Sequence, residues 1–214
     1  MQTTINSIAA GKAVEYKLKE KVFLSAYKKD MFLETCEVNS LGIIDDEQAA
    51  KEFHGGVDAA IHIGSTTHFD RFQKLLDKEL DKLAIGCNML IDNFDESDIC
   101  VGDIYCVGEI KLEVSQPRQP CWKIGAIFDK DTNRYIVKQG ATGWYVRVLN
   151  DGILDSNNPM VLEKRVSDLT IKELNHYLHT PPADNTLIHK ILNTDALAQA
   201  YKKDFSKVLG ANNC

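Results

Sequence analysis

The stretch Ile104-Tyr105-Cys106-Val107-Gly108-Glu109-Ile110-Lys111-Leu112-Glu113-Val114 sets the fold class. Ile104, Cys106, Ile110, Leu112 and Val114 fall on one side and Glu109, Lys111 and Glu113 on the other, the period-two pattern of one half-buried strand. Working outward, strands are expected over 22–27 and 31–38, paired through a turn at Lys28, Lys29 and Asp30, and again over 134–137, 144–149 and 161–164. One amphipathic helix interrupts them, because Phe69, Phe72, Leu76, Leu80 and Leu83 recur at steps of three or four between a Thr67 cap and a Gly86 stop.

From residue 167 the pattern turns helical. Thr170 and Glu173 form a capping box, Pro181-Pro182 ends that helix, and Leu187, Ile188, Ile191 and Leu192, then Leu197, Tyr201, Phe205 and Leu209, mark two more. The sequence therefore predicts a mainly β body over residues 1–166 and a three-helix C-terminal extension over 167–214.

The 214 residues carry a formal net charge of -6, so no global electrostatic footprint for nucleic acid or an anionic membrane is expected. No apolar run approaches the roughly 20 residues of a membrane-spanning helix, and no secretory leader is expected. Six cysteines without a CxxC pair predict reduced thiols in the cytoplasm.

The most unusual segment, Val114-Ser115-Gln116-Pro117-Arg118-Gln119-Pro120-Cys121-Trp122-Lys123, follows directly on the alternating stretch. Two prolines take it out of the sheet and stiffen it, holding Cys121 between Arg118 and Lys123, whose positive fields favour a thiolate. Such a sulfur is a soft metal donor and a nucleophile, or else a small buried hydrophobe. His54-Gly55-Gly56 is either an amide nest for an anion or a tight turn. Asn88, in Gly86-Cys87-Asn88, either orients a polar ligand or bonds its own turn, and Cys87 could face Cys121. Arg147 alternates with Trp144, Val146 and Val148 and points away from them, to an anion or to solvent. His62 and His68 lack zinc-site spacing, and no GxGxxG, GxxxxGK[ST] or GxSxG motif occurs.

PRQPCW at 117–122, GATGWYVRVL at 140–149, HGGVDAAIH at 54–62 and VGD at 101–103 together resemble the MOSC family, named for the C-terminal domain of molybdenum cofactor sulfurases, and within it the YiiM-like branch. The resemblance implies a MOSC-type β-barrel domain followed by helices. It also implies a molybdenum cofactor held by its pterin dithiolene and one protein cysteine, Cys121 by position. The implied activity is reduction of N-hydroxylated compounds, such as hydroxylamino purines or amidoximes, to amines or amidines. Arg118, His54, Gly55, Gly56 and Asn88 are the implied cofactor contacts, with Arg147 behind them and Lys12 and Lys28 from the N-terminal strands. Without an iron-sulfur cysteine pattern or a dinucleotide fingerprint, electrons are expected from a separate flavoprotein or ferredoxin-type reductase.

Three positions depart from the family pattern. Cys87 stands where a glutamate is common, Asp45-Asp46 replaces a glycine-aspartate pair, and Ala59 replaces a lysine. Two other readings therefore stand beside the first: a non-catalytic molybdopterin or sulfur carrier, and a metal-free thiol redox protein using Cys121 and Cys87.

Overall fold

A computed structural model describes residues 1–49, 55–76, 86–127 and 130–212. The chain opens with β1 (Gln2–Thr3), β2 (Ile5–Ala10), β3 (Val14–Leu18), β4 (Lys21–Ser25), β5 (Met31–Leu33), β6 (Thr35–Asn39) and β7 (Gly42–Ile43). A 3-10 turn at Val57–Ala59 leads to β8 (Ile61–Ser65), helix α1 (Thr66–Leu76), β9 (Met89–Ile91), β10 (Ile104–Val107) and β11 (Ile110–Pro117). Helices α2 (Trp122–Ile127) and α3 (Lys130–Gln139) precede β12 (Trp144–Val148), β13 (Gly152–Asp155) and β14 (Met160–Lys164). The chain then runs through α4 (Ile171–His179), α5 (Asn185–Leu192) and α6 (Gln199–Asn212).

Nine strands form one open sheet, ordered β1-β14-β10-β11-β12-β8-β9-β2-β5, in which β8 and β9 pair in parallel. The expectation of a mainly β barrel with one amphipathic helix and a small extension is thus corrected. The fold is mixed α/β, an open half-barrel sheet with six α-helices among the described residues.

The correction has a local cause. Tyr135, Ile136 and Val137 have strand propensity, but as part of α3 they place Ile136 in a buried cluster with Ile124 of α2, Phe72 of α1 and Leu90 of β9. Gly140, at φ 65°, closes α3 with Ala141 N–H donating to the Ile136 carbonyl at 3.1 Å and Gly140 N–H to that of Val137 at 3.2 Å.

The opening stretch is a hairpin, not one strand. Gly108 turns at φ 57° and Val107 pairs with Ile110, so Tyr105 and Val107 face the core with Ile110, Leu112 and Val114, while Ile104 and Cys106 do not. The pairing expected between 22–27 and 31–38 is also replaced: β4 pairs with β3, β5 with β2 and β6 with β13.

One core cluster, including Trp144, Tyr105, Ile61 and Met89, lies against the sheet, and a third, including Leu174, Ile191, Tyr201 and Phe205, joins α4, α5 and α6 to Val101. The VGD segment is structural. Fully buried Asp103 takes Arg165 in two bonds of 2.9 and 2.7 Å and accepts the Cys100 N–H at 3.0 Å.

Candidate functional site

β11 ends at a bulge. The register shifts between Val114 and Gln116, and Ser115 turns its hydroxyl to the carbonyls of Asp58, at 2.5 Å, and Tyr145, at 3.0 Å. Beyond it Pro117 still pairs with Trp144, and Arg118 N–H donates to the Gly143 carbonyl at 3.1 Å. The chain then leaves the sheet and enters α2 through Cys121, so a short segment carries both Arg118 and Cys121 to one cavity, open at its mouth. The opposing walls come from Ser25 to Tyr27, Lys29, residues 46–49, Gly55, Ala59, His62, Gly86, Asn88 and Tyr145.

Arg118 is the anchor of this site. Only 5% exposed, its guanidinium donates to the Tyr27 hydroxyl at 2.7 Å and interacts with Tyr145, and its centre lies 5.3 Å from the Tyr27 ring. Among the described residues no carboxylate is ion-paired with it. Burial holds the Tyr27 and Tyr145 phenols above their usual range despite the guanidinium, so both stay protonated. Cys121 is half-buried, and its Sγ accepts the Lys123 N–H at 3.3 Å, while Lys123 Nζ reaches the Leu24 carbonyl at 2.7 Å and ties α2 to the β3–β4 ribbon.

Across the cavity Lys29 and Asp46 form a buried ion pair at 2.5 and 2.8 Å, and Asp46 Oδ1 also accepts the Gly11 N–H at 2.8 Å. The carboxylate compensates Lys29, which leaves Arg118 as a buried cation of the cavity without an ion-pair partner among the described residues.

His62 lies between two carbonyls, its Nδ1 3.1 Å from Gly86 O and its Nε2 3.0 Å from Thr142 O. An imidazolium would donate to both, but full burial, then the positive charge of Arg118, push the pKa down to about 3, so the ring is neutral and donates to one of them. Behind it, Gly143 takes φ 71°, and a Cβ there would lie 2.3 Å from the Ile63 carbonyl oxygen, which explains the glycine. Glu96 fixes that turn from below, accepting the Gly143 N–H at 2.7 Å with Oε1 and meeting His68 Nε2 at 2.5 Å with Oε2.

Of the residues expected at the site, Cys121, Arg118, Asn88 and Gly55 line the cavity. Asn88 is committed to the scaffold, accepting the His62 N–H at 3.2 Å and donating to the Ala9 carbonyl at 3.4 Å. Gly55 takes φ 133° and a Cβ on it would collide with the Gln48 amide, whereas one on Gly56, at φ 78°, would meet open space. His54 lies outside the described residues. Arg147 is elsewhere: it donates to Asp58 at 2.7 Å, Glu113 at 2.6 Å and the Ala196 carbonyl at 2.9 Å, joining the sheet to the C-terminal helices. Lys12 and Lys28 are exposed and pair with Glu47 at 3.5 Å and Asp30 at 3.9 Å. Sequence reasoning missed Tyr27, Lys29 and Tyr145. Lys28 and Lys29 differ only in which way the chain turns, but Tyr145 shares the face of Arg147 on β12 and could have been read from alternation.

Cys87 does not reach the cavity. It is fully buried against Gly64, and burial pushes its thiol up to about 12. No group of three His, Cys, Asp or Glu side chains suited to a bare metal ion occurs among the described residues.

Residues 50–161 match the family model described as MOSC domain. The protein YiiM of Escherichia coli strain K12 is 31% identical over 174 residues, which cover 79% of this chain and 78% of that one. A Gibberella moniliformis protein named reductase is 30% identical over 132 residues, 59% of this chain but 23% of that longer one. The crystal structure of YiiM from Geobacillus stearothermophilus superposes with a TM-score of 0.79 at 28% identity, covering 97% of this chain and 99% of that one.

Proposed function

The chain belongs to the MOSC family, in its YiiM-like branch, and from that premise we propose a molybdenum cofactor-dependent oxidoreductase that reduces N-hydroxylated compounds, hydroxylamino purines and amidoximes among them, to amines or amidines. The observation that carries the reading is the buried guanidinium of Arg118, without a carboxylate partner among the described residues, lining the same cavity as the half-buried thiol of Cys121. A buried cation left uncompensated is costly, and an anionic ligand removes that cost. The residues present fit the cofactor: one soft sulfur donor at the cavity wall and one buried cation for a phosphate or pterin oxygen, with the Gly55 backbone beside them.

In this reading Cys121 Sγ is the protein's ligand to molybdenum, held in place by the Lys123 N–H. Arg118, oriented by the Tyr27 hydroxyl, binds the cofactor's anionic end. The Gly55 amide contributes a further donor, and the neutralised Lys29–Asp46 pair presents a polar wall without net charge. When bound, the cofactor supplies the two-electron redox chemistry by which the substrate's hydroxyl oxygen leaves nitrogen. The Gibberella relative's name supports a reductive activity. Ala59 lines the cavity where the family pattern has a lysine, so this chain offers one cation fewer to the ligand. The metal-free thiol reading has no matching geometry, because Cys87 is sealed in the core and protonated.

The test is turnover of an N-hydroxylated substrate panel with a generic reductant, under anaerobic conditions, by wild type and Cys121→Ser with identified products. Loss of turnover in the variant is expected, and unchanged turnover overturns the role given to Cys121.

A further inference from the structure

A second cleft lies behind the Arg118–Cys121 segment. While Arg118 and Cys121 line the cavity described above, the two residues between them, Gln119 and Pro120, line a cleft of about 370 Å³ between α3 and α4, within the roughly 300–1,000 Å³ of small-molecule sites. α4 buries Ile171 and Leu174 and turns Lys172, Asn175, His176 and His179 to the cleft, a stripe at helical spacing. The facing wall is Val137, Lys138, Gln139 and Gly140 at the end of α3, and Thr142 is on the floor.

Its chemistry is one-sided. Lys138, Lys172, His176 and His179 line it and, among the described residues, no carboxylate does, in a chain whose net charge is -6. Among the described residues neither Lys138 nor Lys172 takes part in an ion pair. Gln119 Nε2 is buried without an acceptor, a donor left waiting in the wall. The floor is preorganised, since Asn175 Nδ2 donates to Thr142 Oγ1 at 2.9 Å and to the Gly140 carbonyl at 3.3 Å. Pro120 and Val137 add apolar surface beside these donors.

We propose that this cleft binds a phosphate-bearing small molecule, its phosphate between Lys138 and Lys172 and accepting from Gln119 Nε2, its organic part against Pro120 and Val137. Two ammonium groups and a neutral amide donor match a phosphate dianion better than a single carboxylate, and the volume exceeds what a free ion fills. The proposal stands apart from the cofactor reading, because it uses none of the residues that line the Cys121 cavity.

Calorimetric titration of the full chain at low ionic strength, with adenosine monophosphate and separately with inorganic phosphate, tests it. The variants are the exposed pair Lys138→Gln/Lys172→Gln and, for the other cavity, Arg118→Met. Saturable binding of the nucleotide is expected, weakened at least about tenfold in the double variant and unchanged in Arg118→Met. The proposal is overturned if neither probe binds, or if Arg118→Met abolishes binding while the double variant retains it. Inorganic phosphate binding as tightly as the nucleotide also overturns it, since the organic part would then contribute nothing.

Discussion

Arg118 holds a full charge in the interior with two phenols around it. If the charge is kept for a ligand, removing it harms binding more than folding. Arg118→Met should leave the cofactor-free protein within about 1 kcal/mol of wild type, or more stable, while molybdenum and pterin content falls at least tenfold. Strong destabilisation with unchanged cofactor content, measured by urea unfolding and metal analysis, would contradict this. His62 gives a pH signature. Its folded pKa of about 3 lies below the ordinary 6.5, so between those values the unfolded chain binds a proton that the folded one refuses. Its contribution is complete above about pH 6.5 and is lost as pH falls, with a limiting slope of about 1.4 kcal/mol per pH unit. The stability difference between wild type and His62→Gln should therefore shrink from pH 7 to pH 4.5, and a constant difference would contradict a neutral buried ring. At this scale the sequence was legible where the backbone is unusual: two prolines and an arginine next to Cys121 announced the segment. It was silent on Tyr27 and Lys29, whose roles depend on how a polar connection closes over a cavity.

Elements explain most of what the sequence left hidden. The alternation over 110–114 was real, but a two-residue turn at Gly108 and Glu109 reverses the chain and shifts its phase, so Tyr105 and Val107 take the buried face in place of Ile104 and Cys106, which only the positive φ of the glycine could have signalled. Tyr135 to Val137 misled because strand propensity is local, whereas burial of Ile136 beside Ile124 is not. The Thr170 to Glu173 capping box was legible because it is closed by four adjacent residues, and both of its reciprocal bonds form. The turn from Gly140 to Gly143 depends on Glu96, remote in sequence, which serves Gly143 and His68 together. Glu96→Ala leaves a buried N–H and a buried imidazole without partners and should cost roughly 3 kcal/mol of unfolding free energy. A loss under 1 kcal/mol in chemical denaturation would show that this brace is not needed.

Across the whole molecule, three parts of the chain meet at one opening: the connections after β4 and β7 supply Tyr27, Lys29 and Asp46, β8, the approach to β9 and β12 supply His62, Asn88 and Tyr145, and the exit from β11 supplies Arg118 and Cys121. Residues from positions 25 to 145 thus converge, which no local pattern could place, although the order of the motifs pointed to the family that places them so. The sequence carries no dinucleotide fingerprint, so on the proposed reading the cofactor-loaded chain alone should not oxidise NADH with an N-hydroxylated substrate. Addition of a flavoprotein or ferredoxin-type reductase should start that reaction, and NADH consumption without a partner would contradict a separate donor. The most direct measurement is X-ray absorption at the molybdenum edge of the loaded protein, wild type against Cys121→Ser. Loss of one sulfur from the metal's coordination sphere in the variant is the result predicted. An identical sulfur count in both proteins, or no molybdenum in fully reconstituted wild type, would contradict the account.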